Sequence, residues 1–350
     1  MFEKMDYDDL DRFFEMIVNG HELSDKEIKS LLSMDQPEDI EKLYYLSRNI
    51  RNHFFSNKVF LYSFVYYSTY CKNRCSFCYY NSINDINRYR LSIEDIINIS
   101  RQLKDEGVHM VDLTMGEDPY FHSDPSKLVD LVKLVKNEIQ LPIMISPGVI
   151  DKNTLNALRI NGANFYALYQ ETYDSGLYKD LRVGQSYQDR IDTRNYARKI
   201  GYCIEDGILT GIEDNLDSTI ISLKGLKKSD PDMVRAMTFV PQPGTPFENQ
   251  IQNSSQMELK IIAILRLMFP DRLIPASLDL EGIEGMISRL NAGANVVTSI
   301  IPSDSTLEGV VNYDRDFEIR KRDAVSVIKK IREMGMVPAE QSDFNKILGL

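Results

Sequence analysis

Eight apolar, strand-like runs recur along this chain, at residues 59–66, 109–114, 142–146, 164–169, 203–209, 233–240, 273–279 and 295–301. Helical patterns fill the intervals, for instance at 92–106, 125–138, 215–228 and 255–269. Strands separated by helices cannot pair as tight hairpins, so each helix carries the chain back over the sheet and the next strand lies parallel. Eight such units, closed on themselves, predict an α/β fold: a (β/α)8 TIM-type barrel. An open doubly wound sheet is the alternative; the count of eight and the lack of any break in composition favour closure. Barrels of this kind carry their active sites on the loops that follow the C-terminal ends of the strands.

The flanks read differently. Residues 5–55 are helical with a charged face. Ser24-Asp25-Lys26-Glu27 is a capping box opening 28–32, and Pro37 starts a helix carrying Leu43, Leu46 and Ile50. Residues 302–350 read as a loop, a charged helix from about Asp314 to Met334, and a tail. The expected division is a helical extension at 1–57 packed on the barrel, the barrel at 58–301, and a C-terminal loop and helix at 302–350. A net charge of −11 with scattered Lys and Arg argues against nucleic acid or an anionic membrane as partner. The acidic N-terminus lacks an apolar signal segment and no run is long enough to span a bilayer, so a cytoplasmic location is expected.

Chemistry concentrates in Cys71-Lys72-Asn73-Arg74-Cys75-Ser76-Phe77-Cys78, just beyond the first strand. Three thiolates can hold three irons of a [4Fe–4S] cube and leave the fourth open to a small chelating molecule. A zinc site would need a fourth ligand, yet the only other cysteine is Cys203 and no histidine stands near. So few cysteines in so long a chain also disfavour a disulfide framework. Cys203 itself reads as a small buried hydrophobe. The spacing, with an aromatic before the last cysteine, resembles the signature of the radical S-adenosylmethionine (SAM) superfamily.

Several strand ends add polar groups. Asp112 lies within strand two, Ser146 ends strand three, Tyr169 and Glu171 share a face at the end of strand four, and Arg182 follows in the next loop. Arg235 interrupts an apolar strand six, Ser277 and Asp279 share a face of strand seven, and Thr298 and Ser299 end strand eight. Charges inside a barrel cost several kcal/mol each unless paired. One Arg suited to a carboxylate and two Asp suited to amines describe a diamino acid such as lysine or ornithine. An internal salt bridge from Arg235 to one of the Asp residues is the plainer reading.

Across 59–301 the order of motifs is similar to the biotin synthase-type radical SAM barrels, and most of all to the branch that rearranges lysine for pyrrolysine biosynthesis. The runs at 70–80, 112–119, 167–174 and 274–282 carry this resemblance. It implies two cofactors, a [4Fe–4S] cluster on Cys71, Cys75 and Cys78 and SAM. Met115-Gly116-Glu117 resembles the family's Gly-Gly-Glu turn, whose carbonyls accept from the SAM amino group, with Met115 in place of the first Gly. Glu171 would take the SAM ammonium and Arg182, or more weakly Arg190, its carboxylate; Phe77, Ser146 and Tyr169 would complete that site. Residues 207–214 resemble the adenine-contacting G-x-I-x-G-x-x-E element, with Leu209 and Asp214 as departures. Asp112, Arg235, Ser277, Asp279, Thr298 and Ser299 would face the substrate.

The implied reaction is an isomerisation. A 5′-deoxyadenosyl radical removes hydrogen from L-lysine, whose carbon skeleton breaks and rejoins as (3R)-3-methyl-D-ornithine. A low-potential donor such as ferredoxin or flavodoxin would supply the electron. Biotin synthase itself needs further inner-strand cysteines, which are missing, so sulfur insertion is disfavoured. A hydrogenase-maturase-like enzyme acting on another amino acid is the runner-up. A non-catalytic metal-binding scaffold is the reading from a different class.

Overall fold

The computed structural model describes residues 7–212, 215–303 and 322–350. Eight parallel strands form a nearly closed (β/α)8 barrel: β1 (Lys58–Ser68), β2 (Met110–Met115), β3 (Ile143–Ser146), β4 (Ala163–Ala167), β5 (Cys203–Thr210), β6 (Met233–Thr238), β7 (Pro275–Ser277) and β8 (Val296–Thr298). Their order around the sheet is β6-β5-β4-β3-β2-β1-β8-β7. The seam between β6 and β7 is joined by one backbone bridge, Met233 to Leu273. No helix among the described residues is long and apolar enough to cross a membrane.

Alternation along the strands sorts side chains into two cores. On β1, Val59, Leu61 and Val65 join the large apolar layer under the helices, whereas Phe60 and Tyr62 point into the barrel with Met110, Met144, Phe165 and Met233. The last strands are shorter than the apolar runs suggested. Ser277, Asp279 and Ser299 exchange side-chain hydrogen bonds there, and Ser299 turns to φ 67°, so polar contacts replace the ladder.

The expected Ser24 capping box is present and opens the helix Asp25–Leu32. The helix Pro37–Phe55 is tied to the barrel's outer helices by polar bonds. Arg51 Nη1 donates to Leu290 O at 2.6 Å and Ser47 Oγ to Ala292 O at 2.8 Å, while Lys260 Nζ reaches back to Leu32 O, the end of the preceding helix, at 2.7 Å. At the other end of the chain, the part of the expected helix at 314–321 lies outside the described residues. The helix found spans Ala324–Glu333, and the Asp323 carboxylate caps it by accepting from the Ser326 N–H at 2.8 Å.

The tail has a definite place. A two-residue strand, β9 (Val337–Pro338), pairs in parallel with the start of β1, and the helix Gln341–Ile347 follows. Its Phe344 is fully buried against Phe60 and stacks on His109 at 5.9 Å between ring centroids. His109 Nδ1 accepts from the Leu61 N–H at 2.9 Å, which leaves Nε2 to donate to Ala339 O at 2.8 Å. The N-terminal mouth of the barrel is thereby stoppered, and the C-terminal mouth is the open one.

Candidate active site

The cysteine loop leaves β1 at that open mouth. Arg88 braces it by donating to four carbonyls: Thr69 at 2.6 Å, Tyr80 at 3.0 Å, Asn81 at 2.6 Å and Asn84 at 3.1 Å. The loop's return is fixed by Asp118, which takes a bidentate pair from Arg90 (2.6 and 2.9 Å) and a bond from Ser68 Oγ at 2.5 Å. All three thiols are free of disulfides.

The surroundings of the sulfurs fit a cluster. Cys71 Sγ accepts the Glu117 N–H at 3.3 Å and the Asn73 N–H at 3.4 Å; Cys75 Sγ accepts from Gln185 Nε2 at 3.0 Å. Gly116 runs hard against Cys71, where an added Cβ would come within 2.9 Å of Sγ. Burial pushes the Cys71 and Cys78 thiols up, and the neighbouring thiols raise both further, so a bound cation is what would hold them as thiolates. Among the described residues no three His, Cys, Asp or Glu groups are placed to hold a single metal ion.

A cavity opens beside the loop. Of the expected site residues, Phe77, Cys78, Ser146, Tyr169, Glu171, Arg235, Ser277 and Asp279 line it. Others stand one layer back. Asp112 is reached through Ser146, whose hydroxyl donates to both carboxylate oxygens at 2.9 Å. Thr298 lies 3.5 Å from Arg235 Nη1, and Ser299 donates to Asp279 at 2.5 Å. The side chain of Met115 packs in the outer apolar layer, leaving only its backbone toward the mouth.

β4 stops at Ala167, yet Tyr169 and Glu171 still reach the cavity, because Glu171 adopts φ 68° and bonds on to β5. Its carboxylate pairs with Arg182, so the two groups expected to hold opposite ends of SAM hold each other. Burial raises Glu171, and Arg182 only partly offsets this. Arg190 is not aimed at a carboxylate. It donates from Nε and Nη2 to Tyr169 O at 3.1 and 2.7 Å, where it supports that segment. Leu209 lines the cavity, Asp214 falls outside the described residues, and Cys203 begins β5 at the opposite end of the barrel.

The interior charges pair in ways that strand patterns did not suggest. Arg235 Nε donates to Glu205 at 2.9 Å and Nη2 to the Tyr62 hydroxyl. The internal salt bridge therefore exists, but its acid is Glu205 rather than an Asp. Asp279 accepts from Arg322 Nη1 at 2.9 Å as well as from Ser277 and Ser299, so it is already neutralised. Glu205 was findable, since alternation along 203–209 puts it on one face with Gly207 and Leu209. Arg322, 43 residues from Asp279 in the chain, gave no local signal. Asp112 differs from both: burial, then the nearby charge of Glu205, pushes its carboxyl up to about 7.

Comparison with known proteins agrees with this geometry. Residues 65–223 match the radical SAM superfamily. The chain is 62% identical over 99% of its length and 99% of the relative's to 3-methylornithine synthase of Methanosarcina acetivorans. It is 58% identical over the full length of both chains to the Methanosarcina barkeri enzyme of the same name. The crystal structure of methylornithine synthase (PylB) superposes with a TM-score of 0.93 at 58% identity, covering 96% of this chain and 99% of that one.

Proposed function

This chain belongs to the radical SAM superfamily and, within it, to the 3-methylornithine synthase family, and on that premise we propose that it is an isomerase that rebuilds L-lysine as (3R)-3-methyl-D-ornithine. Members of the superfamily use a [4Fe–4S] cluster and SAM. When bound, these supply a hydrogen-abstracting radical, with the electron delivered by a donor such as ferredoxin or flavodoxin; the protein supplies the rest.

In this reading Cys71, Cys75 and Cys78 hold the cluster, and the Gly116 carbonyl, Glu171 and Arg182 hold SAM. The observation that carries the substrate assignment is the charge pattern of the barrel interior, Arg235 at the cavity wall and Asp112 one layer behind it. Arg235 lines the cavity, and among the described residues its Nη1 makes only a 3.5 Å contact to Thr298, so it keeps capacity for a substrate carboxylate. Asp112 takes its hydrogen bonds from a hydroxyl, and no cation pairs with it among the described residues. It suits an ammonium group. The stoppered base and the aromatic wall of Phe64, Tyr66 and Tyr80 would keep fragments together until they rejoin.

Anaerobic, cluster-loaded protein supplied with SAM, reductant and isotope-labelled L-lysine should release a product of unchanged mass that retains every carbon label. Absence of any lysine-dependent product sinks the assignment.

A pH dependence follows from Asp112. An ammonium needs the ionised carboxylate, which the free protein holds only above about 7. The Kd for lysine should be level above that pH and weaken about tenfold per unit below it. Folding stability runs the other way. The folded carboxyl keeps its proton to about 7 against an ordinary 3.8, so its contribution is full below 3.8 and is lost as pH rises to about 7. Calorimetric titration of the wild type and Asp112→Asn checks this, since the variant should bind weakly and without the acid slope.

A further inference from the structure

The three cluster sulfurs differ in what meets them. Cys71 is approached by backbone N–H groups, whereas Cys75 is approached by side chains: Gln185 Nε2 at 3.0 Å and Arg182 Nη1 at 3.6 Å. Gln185 is 110 residues away in sequence and stands in the turn after the helix Ser175–Leu181. Two bonds clip the end of that helix, from which the turn leaves, onto the cysteine loop: the Ser76 N–H to Leu181 O at 3.0 Å and Ser76 Oγ to Asp180 O at 2.5 Å. The Gln185 N–H donates to Arg182 O at 2.9 Å, which fixes the backbone carrying the amide.

The amide also has only one sensible orientation. Arg190 Nη1 stands 3.4 Å from Gln185 Oε1, and a guanidinium has donors but no acceptor. The amide oxygen therefore faces Arg190, and the NH2 group is turned to the sulfur. Arg190 is buried and anchored on the Tyr169 carbonyl, so it cannot follow the amide if it rotates.

We propose that Gln185 tunes the reduction potential of the cluster by donating a hydrogen bond to the Cys75 thiolate, with Arg190 as the positioning residue that keeps the amide turned the right way. This rests on the cluster reading given above. When one electron enters from a reductant, negative charge on the thiolate sulfurs grows. A donor at sulfur stabilises the reduced form more than the oxidised form and raises the potential.

The test is a redox titration, followed by electron paramagnetic resonance without SAM, of anaerobically reconstituted wild type, Gln185→Leu and Gln185→Asn. Leu has no donor and the Asn amide is one carbon too short. Both variants should hold iron and sulfide as the wild type does, and their midpoint should move negative. At a fixed poise the ratio of reduced to oxidised cluster should fall roughly two- to tenfold, the worth of one hydrogen bond. An unmoved or more positive midpoint in either loaded variant overturns the proposal. So does loss of the cluster from both, because a tuning contact leaves the cluster seated. A wild type that takes up no four-iron cluster overturns the underlying reading instead.

Discussion

Alanine at any one of Cys71, Cys75 or Cys78 is expected to leave a folded protein that holds little or no four-iron cluster and does not cleave SAM. Two thiolates cannot seat three irons, and Cys203 cannot substitute because it opens β5 at the far end of the barrel. Folding should survive, because the loop is held by bonds that do not involve sulfur: the four carbonyls on Arg88 and the Asp118–Arg90 pair. Iron and sulfide analysis, set beside circular dichroism, checks both halves. A variant that keeps its full iron, or a wild type that binds zinc in place of iron, contradicts the assignment of these residues.

The second large effect concerns Arg235. Its partner Glu205 is fully buried, so Arg235→Gln strands a carboxylate inside the barrel. Removing one member of a buried pair costs about 3–5 kcal/mol. Lysine use should collapse as well, while iron content stays near that of the wild type. These two consequences can be separated. Glu205→Gln combined with Arg235→Gln removes both charges, so stability in urea should largely return, whereas lysine use should not. If the double variant regained turnover, Arg235 would be a structural partner of Glu205 and not a holder of substrate.

That pairing also marks the limit of strand-pattern reasoning. Arg235 stands out in the sequence because a charge in an apolar strand is costly, and the same reasoning applies to Glu205, which sits within the strand-like run 203–209. Both acids are in truth buried on opposite sides of β5, with Glu205 facing Arg235 and Asp206 accepting from the Gln170 N–H at 2.8 Å and from the Tyr173 hydroxyl at 2.5 Å. The strand-seven pattern points to Asp279 as an amine acceptor, but Arg322 already pairs with it. The Phe344 stopper was legible only as a tail.

Periodicity and spacing, which are local properties of the chain, were enough to determine the order of strands and helices, the thiolate triplet and the end of the barrel where it sits. Which buried charge meets which was decided by tertiary structure alone. Partners such as Arg235 with Glu205, Asp279 with Arg322 and Cys75 with Gln185 are 30, 43 and 110 residues apart, and only closure of the barrel and its loops brings them within bonding distance.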